Sequence, residues 1–192
     1  MNQIASMISL VLHPMMVAPV TFAILIYTEP AGNNNLHLTF FITFFFSTAL
    51  SIITVVYLKS HEKISDLDAS RREERIQPLV LGTIYCAAGF VPLMIIDAAP
   101  IVQGLMFCYA VNTFLVWFIT KRWKISIHAI GIGGPMTALW LYGIQLPIIM
   151  TLAVIAVCTA RVILKRHTIA QVLTGIMISM VFTYLQLQYL FL

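Results

Sequence analysis

Apolar residues in this chain do not alternate with polar ones. They run in blocks about as long as a bilayer is thick. Seven such blocks stand out: Met7–Tyr27, Leu36–Leu58, Pro78–Ile96, Ala99–Thr120, Ile127–Tyr142, Leu146–Leu164 and Thr168–Leu192. Runs near 20 residues with almost no charge predict transmembrane helices. The fifth block is the shortest. Its Gly131, Gly133, Gly134 and Pro135 weaken it as a simple helix and predict an element that is broken, tilted or buried in protein. The pattern predicts an all-α polytopic transmembrane helix bundle of six to seven spans. Residues 1–192 form one integral membrane domain with a single long polar connection at about 59–77.

Composition strengthens this reading. Of 192 residues, 60% are hydrophobic and 9% charged, against about 25% charged in soluble domains. Mean hydropathy is +0.95. A water-soluble domain of this size could not hide so much apolar surface. The first block has no basic residue before it and outruns a signal core, so it is read as a membrane helix. Cys86, Cys108 and Cys158 are scattered within apolar blocks and suggest neither a disulfide framework nor a zinc site.

The formal charge is +4, and its placement argues for a membrane surface rather than nucleic acid. Every Lys and Arg lies in or beside three connections: Lys59 to Arg75, Lys121 to Lys124, and Arg161 to Arg166. The connections Thr28–Asn35, Asp97–Ala98 and Gly143–Gln145 have none. With seven crossings the basic connections share one side. The positive-inside rule makes that side, and the N-terminus, cytoplasmic. Asp97 and Glu29 are the acidic residues of the opposite side, and Asp97 reads as a turn residue.

Three polar clusters on the basic side hold the candidate chemistry. Arg161 closes the sixth block and His167 opens the seventh, with Gln171 four residues on and therefore on the same helix face as His167. Lys124, Ser126 and His128 open the fifth block. Arg71, Arg75 and Pro78 precede or open the third. His13, His37 and His61 read as structural. The Asp66 and Asp68 pair lacks the repeated, longer-spaced aspartates of intramembrane prenyltransferases, so no metal is expected there.

In these clusters the chain resembles the type 2 phosphatidic acid phosphatase superfamily, and within it a diverged group of small bacterial membrane proteins. Ala160-Arg161 with His167 keeps the Arg-to-His spacing of the family's third motif. Ser126 and His128 keep two residues of its Pro-Ser-Gly-His motif, and Arg75 with Pro78 loosely echoes its Arg-Pro motif. The resemblance runs from about Arg71 to Gly175. It implies a phosphatidic-acid-phosphatase-like core in the bacterial inner membrane and hydrolysis of a membrane lipid or polyprenyl phosphate, without metal or cofactor. His167 would be the nucleophile, His128 the general acid and Gln171 the partner of the nucleophile's ring. Arg161, with Arg75, Arg71, Lys124 and Ser126, would hold the phosphate.

The chain also departs from the family pattern. Gln171 replaces an Asp, Ile125 and Ile127 replace Pro and Gly, and Ala160 replaces a Ser. A Gln carbonyl accepts the ring N–H but carries no charge. These departures motivate a second expectation, a non-catalytic membrane subunit that keeps the scaffold to bind anionic lipid, a cofactor or membrane complex partners. His13, before Pro14, leaves room there for a haem or pigment ligand.

Overall fold

A computed structural model describes residues 2–28 and 35–192. Most of the Thr28–Asn35 connection, with Glu29, lies outside the described residues. Those residues fold into helices without a strand. The first apolar block is two helices, α1 (Asn2–Val11) and α2 (Pro14–Tyr27), bent by 41°. The expected single span Met7–Tyr27 is thus interrupted, because Pro14 has no N–H and disfavours helical geometry in the residue before it. His13 occupies the break with extended backbone, and its Nδ1 accepts the Met15 N–H at 3.2 Å as an N-cap.

The second block is continuous from Leu36 to Ser60 but contains a π-helical turn. It comprises α3 (Leu36–Phe44), the turn Phe45–Ala49 and α4 (Leu50–Ser60). Ser47 and Ser51 hydroxyls donate back to the carbonyls of Thr43 and Ser47, competing with the backbone ladder where it widens. After the polar connection, a 3₁₀ turn (Glu73–Arg75) leads into α5 (Ile76–Ile95), and α6 (Pro100–Thr120) follows a tight turn with Asp97 at φ 51°. Next come α7 (Ile127–Tyr142), α8 (Pro147–Ile163) and α9 (Ile169–Leu190). Ser126 caps α7 by accepting the Ala129 N–H. Thr168 and Gln171 form a reciprocal capping box on α9.

Among the described residues, four helical stretches are long and apolar enough to cross a bilayer: Leu36–Ser60, Glu73–Ile95, α6 and α9. The bent α1–α2 pair makes a fifth. At 16 and 17 residues, α7 and α8 are shorter than a simple crossing. Despite its glycines, α7 is unbroken and largely buried. The glycines serve close packing: a Cβ at Gly133 would strike the Ser179 hydroxyl of α9, and one at Gly131 would strike the Pro14 ring.

The most extensive helix pairs are α5 with α6 and α7 with α9, while α1 lies on α8. Phe22, Leu25, Leu93, Val102, Leu105 and Leu187 pack a core among α2, α5, α6 and α9. Large apolar side chains such as Ile84, Val91, Ile148, Leu152 and Met177 face outward. Arg161, His128, Asn112 and Gln186 are buried. Polar groups inside and apolar groups outside is the arrangement a bilayer favours.

Candidate functional site

The three basic connections meet at one end of the bundle. Arg72 donates to the Lys121 carbonyl, Arg75 to the Ile125 carbonyl, Lys124 to the Arg166 carbonyl and Arg166 to the Ser70 hydroxyl. The start of α7 is tied to the start of α9, since the Ser126 N–H donates to the Gln171 carbonyl at 3.3 Å. Residues from distant parts of the chain are thereby gathered around one buried guanidinium.

That guanidinium is Arg161, 1% exposed near the end of α8. Its Nη1 donates to Ser9 Oγ at 2.8 Å and Asp68 Oδ2 at 2.9 Å, and lies 3.5 Å from His128 Nε2. Its Nε and Nη2 are buried with no hydrogen-bond partner among the described residues. These two nitrogens form the side edge of the guanidinium, the fork that matches two oxygens of a phosphate or carboxylate. Burying unpartnered donors is unfavourable, which makes the fork a candidate for an anion.

His167 stands beside it. Its backbone N–H donates to the Arg161 carbonyl at 3.3 Å. The ring Nδ1 meets Gln171 Oε1 at 3.1 Å, and the same oxygen accepts the Thr168 N–H at 3.2 Å. A backbone N–H can only donate, which fixes the orientation of the amide. The proton of His167 therefore lies on Nδ1. Its Nε2 keeps a lone pair, buried and without a partner among the described residues. Burial, then the positive charge of Arg75, push the His167 imidazole down to about 3, partly offset by the Gln171 hydrogen bond. The ring is neutral at physiological pH, as a nitrogen nucleophile must be.

Asp68 enters from the polar connection. The turn Asp66–Ser70 presents it, with Ala69 at φ 44° and the Ala69 carbonyl accepting from Arg75 Nε at 2.8 Å. His13 Nε2 lies 3.7 Å from Asp68 Oδ1, and the His13 ring packs edge-on against His128, with centroids 4.7 Å apart. His13 and Arg161 together hold the Asp68 carboxyl well below the usual carboxylate range, against the opposing effect of burial.

Ligand atoms of His13, Asp68 and His128 lie within 4.8 Å of one another, close enough to suggest a metal centre. The hydrogen bonds argue otherwise. Because His13 Nδ1 accepts the Met15 N–H, its proton sits on Nε2, facing Asp68. Arg161 occupies the other carboxylate oxygen and also faces His128 Nε2. In this arrangement His13 Nδ1 is engaged by the Met15 N–H and its Nε2 faces Asp68.

Of the residues singled out in the sequence, Arg161, His128, His167, Gln171 and Arg75 share this site. Lys124 lies near enough for its charge to act on His167, while burial and the charge of Arg75 hold its ammonium below the usual lysine range. Ser126 is buried, with its hydroxyl oxygen engaged as the cap of α7. Arg71 does not join: its side chain is exposed, with Glu74 at 3.9 Å. Sequence reasoning missed Ser9, His13 and Asp68 as site residues. The one available signal was the Ser9–His13 spacing of four before Pro14, which puts both on one side of a helix about to break.

A cavity of about 200 Å³ lies beside this site, and Arg161 and His167 are not among its lining residues. His13, Asp68, Arg75 and His128 line its polar end. Pro14, Leu79, Gly82, Cys86, Leu105 and Tyr109 line its body.

No family model matches the chain, and comparison with curated proteins and with solved structures finds no match.

Proposed function

We propose that the chain is a membrane phosphatase-like protein that hydrolyses the phosphate ester of a membrane lipid or polyprenyl alcohol through a phosphohistidine. One observation carries this reading: Arg161 Nε and Nη2 and His167 Nε2 are all buried without a partner among the described residues, on two residues joined by the His167 N–H to Arg161 carbonyl bond. Two phosphate oxygens satisfy the fork, and Arg75 and Lys124 add positive charge. His167 Nε2 attacks phosphorus, forming a P–N bond as the P–O bond to the lipid alcohol breaks. His128, taken up as the imidazolium together with the phosphate dianion, gives a proton to the departing oxygen and is left neutral. Water then attacks phosphorus, its proton passes to His128, and the P–N bond breaks to release phosphate. The basic end, with the N-terminus, faces the cytoplasm of a bacterial inner membrane, and α7 and α8 complete seven crossings as short spans.

Protein purified in detergent is expected to release inorganic phosphate from undecaprenyl phosphate or phosphatidate, and His167→Ala is expected to abolish the release. Equal background release from both proteins overturns the proposal.

A second reading rests on Asp68. Its carboxylate already neutralises Arg161, and Gln171 adds no charge to His167. Such a site suits a subunit that holds an anionic lipid without turning it over. Binding of the lipid phosphate with no phosphate release, together with stoichiometric co-purifying partners, favours that reading.

A further inference from the structure

The Arg161 site is closed. Arg161 Nε and Nη2 and His167 Nε2 are all buried, and neither residue lines the neighbouring cavity. An anion reaches this guanidinium only if something that covers it moves. Ser9, His128 and Arg161 stand on helices, with His167 just before α9, and the pairs α1–α8 and α7–α9 hold them by packing. Asp68 is different. The turn Asp66–Ser70 of the polar connection carries it, yet it both accepts from Arg161 Nη1 and lines the cavity.

Cations hold that turn. Arg161 Nη1 donates to the Asp68 carboxylate at 2.9 Å, Arg75 Nε to the Ala69 carbonyl at 2.8 Å and Arg166 Nη1 to the Ser70 hydroxyl at 2.8 Å. Arg166 also lies 3.7 Å from Asp66, and His13 lies 3.7 Å from Asp68. Apolar anchoring is slight: between Ser65 and Ser70, Ala69 is the buried apolar residue, while Leu67 is 57% exposed. Ala69 itself has a left-handed backbone at φ 44°, unfavourable for a residue with a Cβ. Segments with few buried apolar contacts open most readily, and here charge keeps one shut.

We propose that the Asp66–Ser70 turn is a gate over the Arg161 site, latched by Asp68, and that an entering phosphate group releases it. In the empty site Asp68 stands in for the anion. A phosphate on the Nε–Nη2 edge brings negative charge to the guanidinium that Asp68 already occupies, and the two repel. Arg75, a second hold on the turn, is drawn to the phosphate as well. Binding and opening are therefore linked, so whatever weakens the latch strengthens anion binding.

The gate rests on the phosphate reading of the site, so its test reads anion binding and the turn separately. The detergent-purified full chain is titrated calorimetrically with inorganic phosphate. It is also digested briefly with trypsin, with and without phosphate at constant ionic strength. Arg71 and Arg72 follow the turn directly, so cleavage after them reports its opening. In wild type, phosphate is expected to speed that cleavage severalfold. Asp68→Asn keeps the shape and removes the charge. It is expected to bind phosphate about tenfold more tightly, because the competent state no longer waits on the latch, and to be cleaved fast with or without phosphate. Ser70→Ala removes only the Arg166 hold and shifts both readouts the same way by a smaller factor. It decides the matter if Asp68→Asn does not fold. A folded Asp68→Asn that binds phosphate no more tightly than wild type overturns the gate and makes Asp68 an orienter of Arg161 instead. Cleavage that bound phosphate leaves unchanged or slows overturns it too. Phosphate bound by neither wild type nor variant removes the anion reading itself, and the gate falls with it. Tighter binding and an open turn without phosphate release keep the gate and remove catalysis.

Discussion

Arg161 is the residue on which the site turns, because it divides its guanidinium between two tasks. Nη1 is spent on Ser9 and Asp68, and the buried Nε–Nη2 edge has no partner among the described residues. A lysine supplies the charge but not the fork. Arg161→Lys is therefore expected to weaken phosphate binding and turnover by roughly 10- to 100-fold, the loss of one or two charge-assisted hydrogen bonds. Calorimetric titration with inorganic phosphate measures it. Gln171 is the second decisive residue. It aims His167 but cannot stabilise positive charge on the ring. Gln171→Glu keeps the reach and the capping box while adding that charge, and is expected to raise turnover by about tenfold or more, by analogy with the loss seen when a triad Asp becomes Asn. An unchanged rate would show that charge at position 171 is not what limits the chemistry. His167 also makes stability depend on pH. Unfolded, its imidazole takes a proton near 6.5; folded, only near 3. Between these values the unfolded chain binds the extra proton, so acidification favours unfolding. The melting temperature is expected to fall as pH drops from about 6.5 toward 3, with a slope of up to about 1.4 kcal/mol per pH unit from this group. His167→Gln should flatten that dependence.

At the scale of elements, the site exists because two helices begin where the chain breaks its own pattern. Pro14 stops α1 and puts His13 at a cap, and the capping box of α9 places His167 just outside its first turn. The α7–α9 pair then sets the spacing of His128 and His167. That pair closes only because small residues line it. Gly133→Ala puts a methyl group against Ser179 and is expected to destabilise the protein by about 1–3 kcal/mol, read as a lower melting temperature in detergent. Gly82→Ala, whose methyl group meets Thr113 at an ordinary 3.7 Å, should not lower it. Had the two substitutions equal effects, close α7–α9 packing would not be what seats the two histidines.

The whole molecule shows what could be read from the chain alone and why the rest could not. The helical class followed from blocks of apolar residues, and the convergence of the basic connections followed from where Lys59 to Arg75, Lys121 to Lys124, and Arg161 to Arg166 stand. The His167–Gln171 contact was legible because it is local, one helical turn apart. The break at His13 was encoded in Pro14, but the length of the apolar block concealed it. Asp68 was hidden for a different reason. It lies in the polar connection, where a carboxylate is ordinary, and only the turn at Ala69 and the buried charge of Arg161 bring it into the bundle. The Ser9–Arg161 and Asn112–Thr183 bonds are contacts across more than 70 residues of chain, which no local spacing reveals. Orthovanadate tests the central claim most directly, since it mimics phosphorus under nucleophilic attack. A structure of the protein with vanadate is expected to show vanadium bonded to His167 Nε2, with two of its oxygens on Arg161 Nε and Nη2. Vanadate bound elsewhere, or a fork that stays empty at saturating vanadate, would contradict the account.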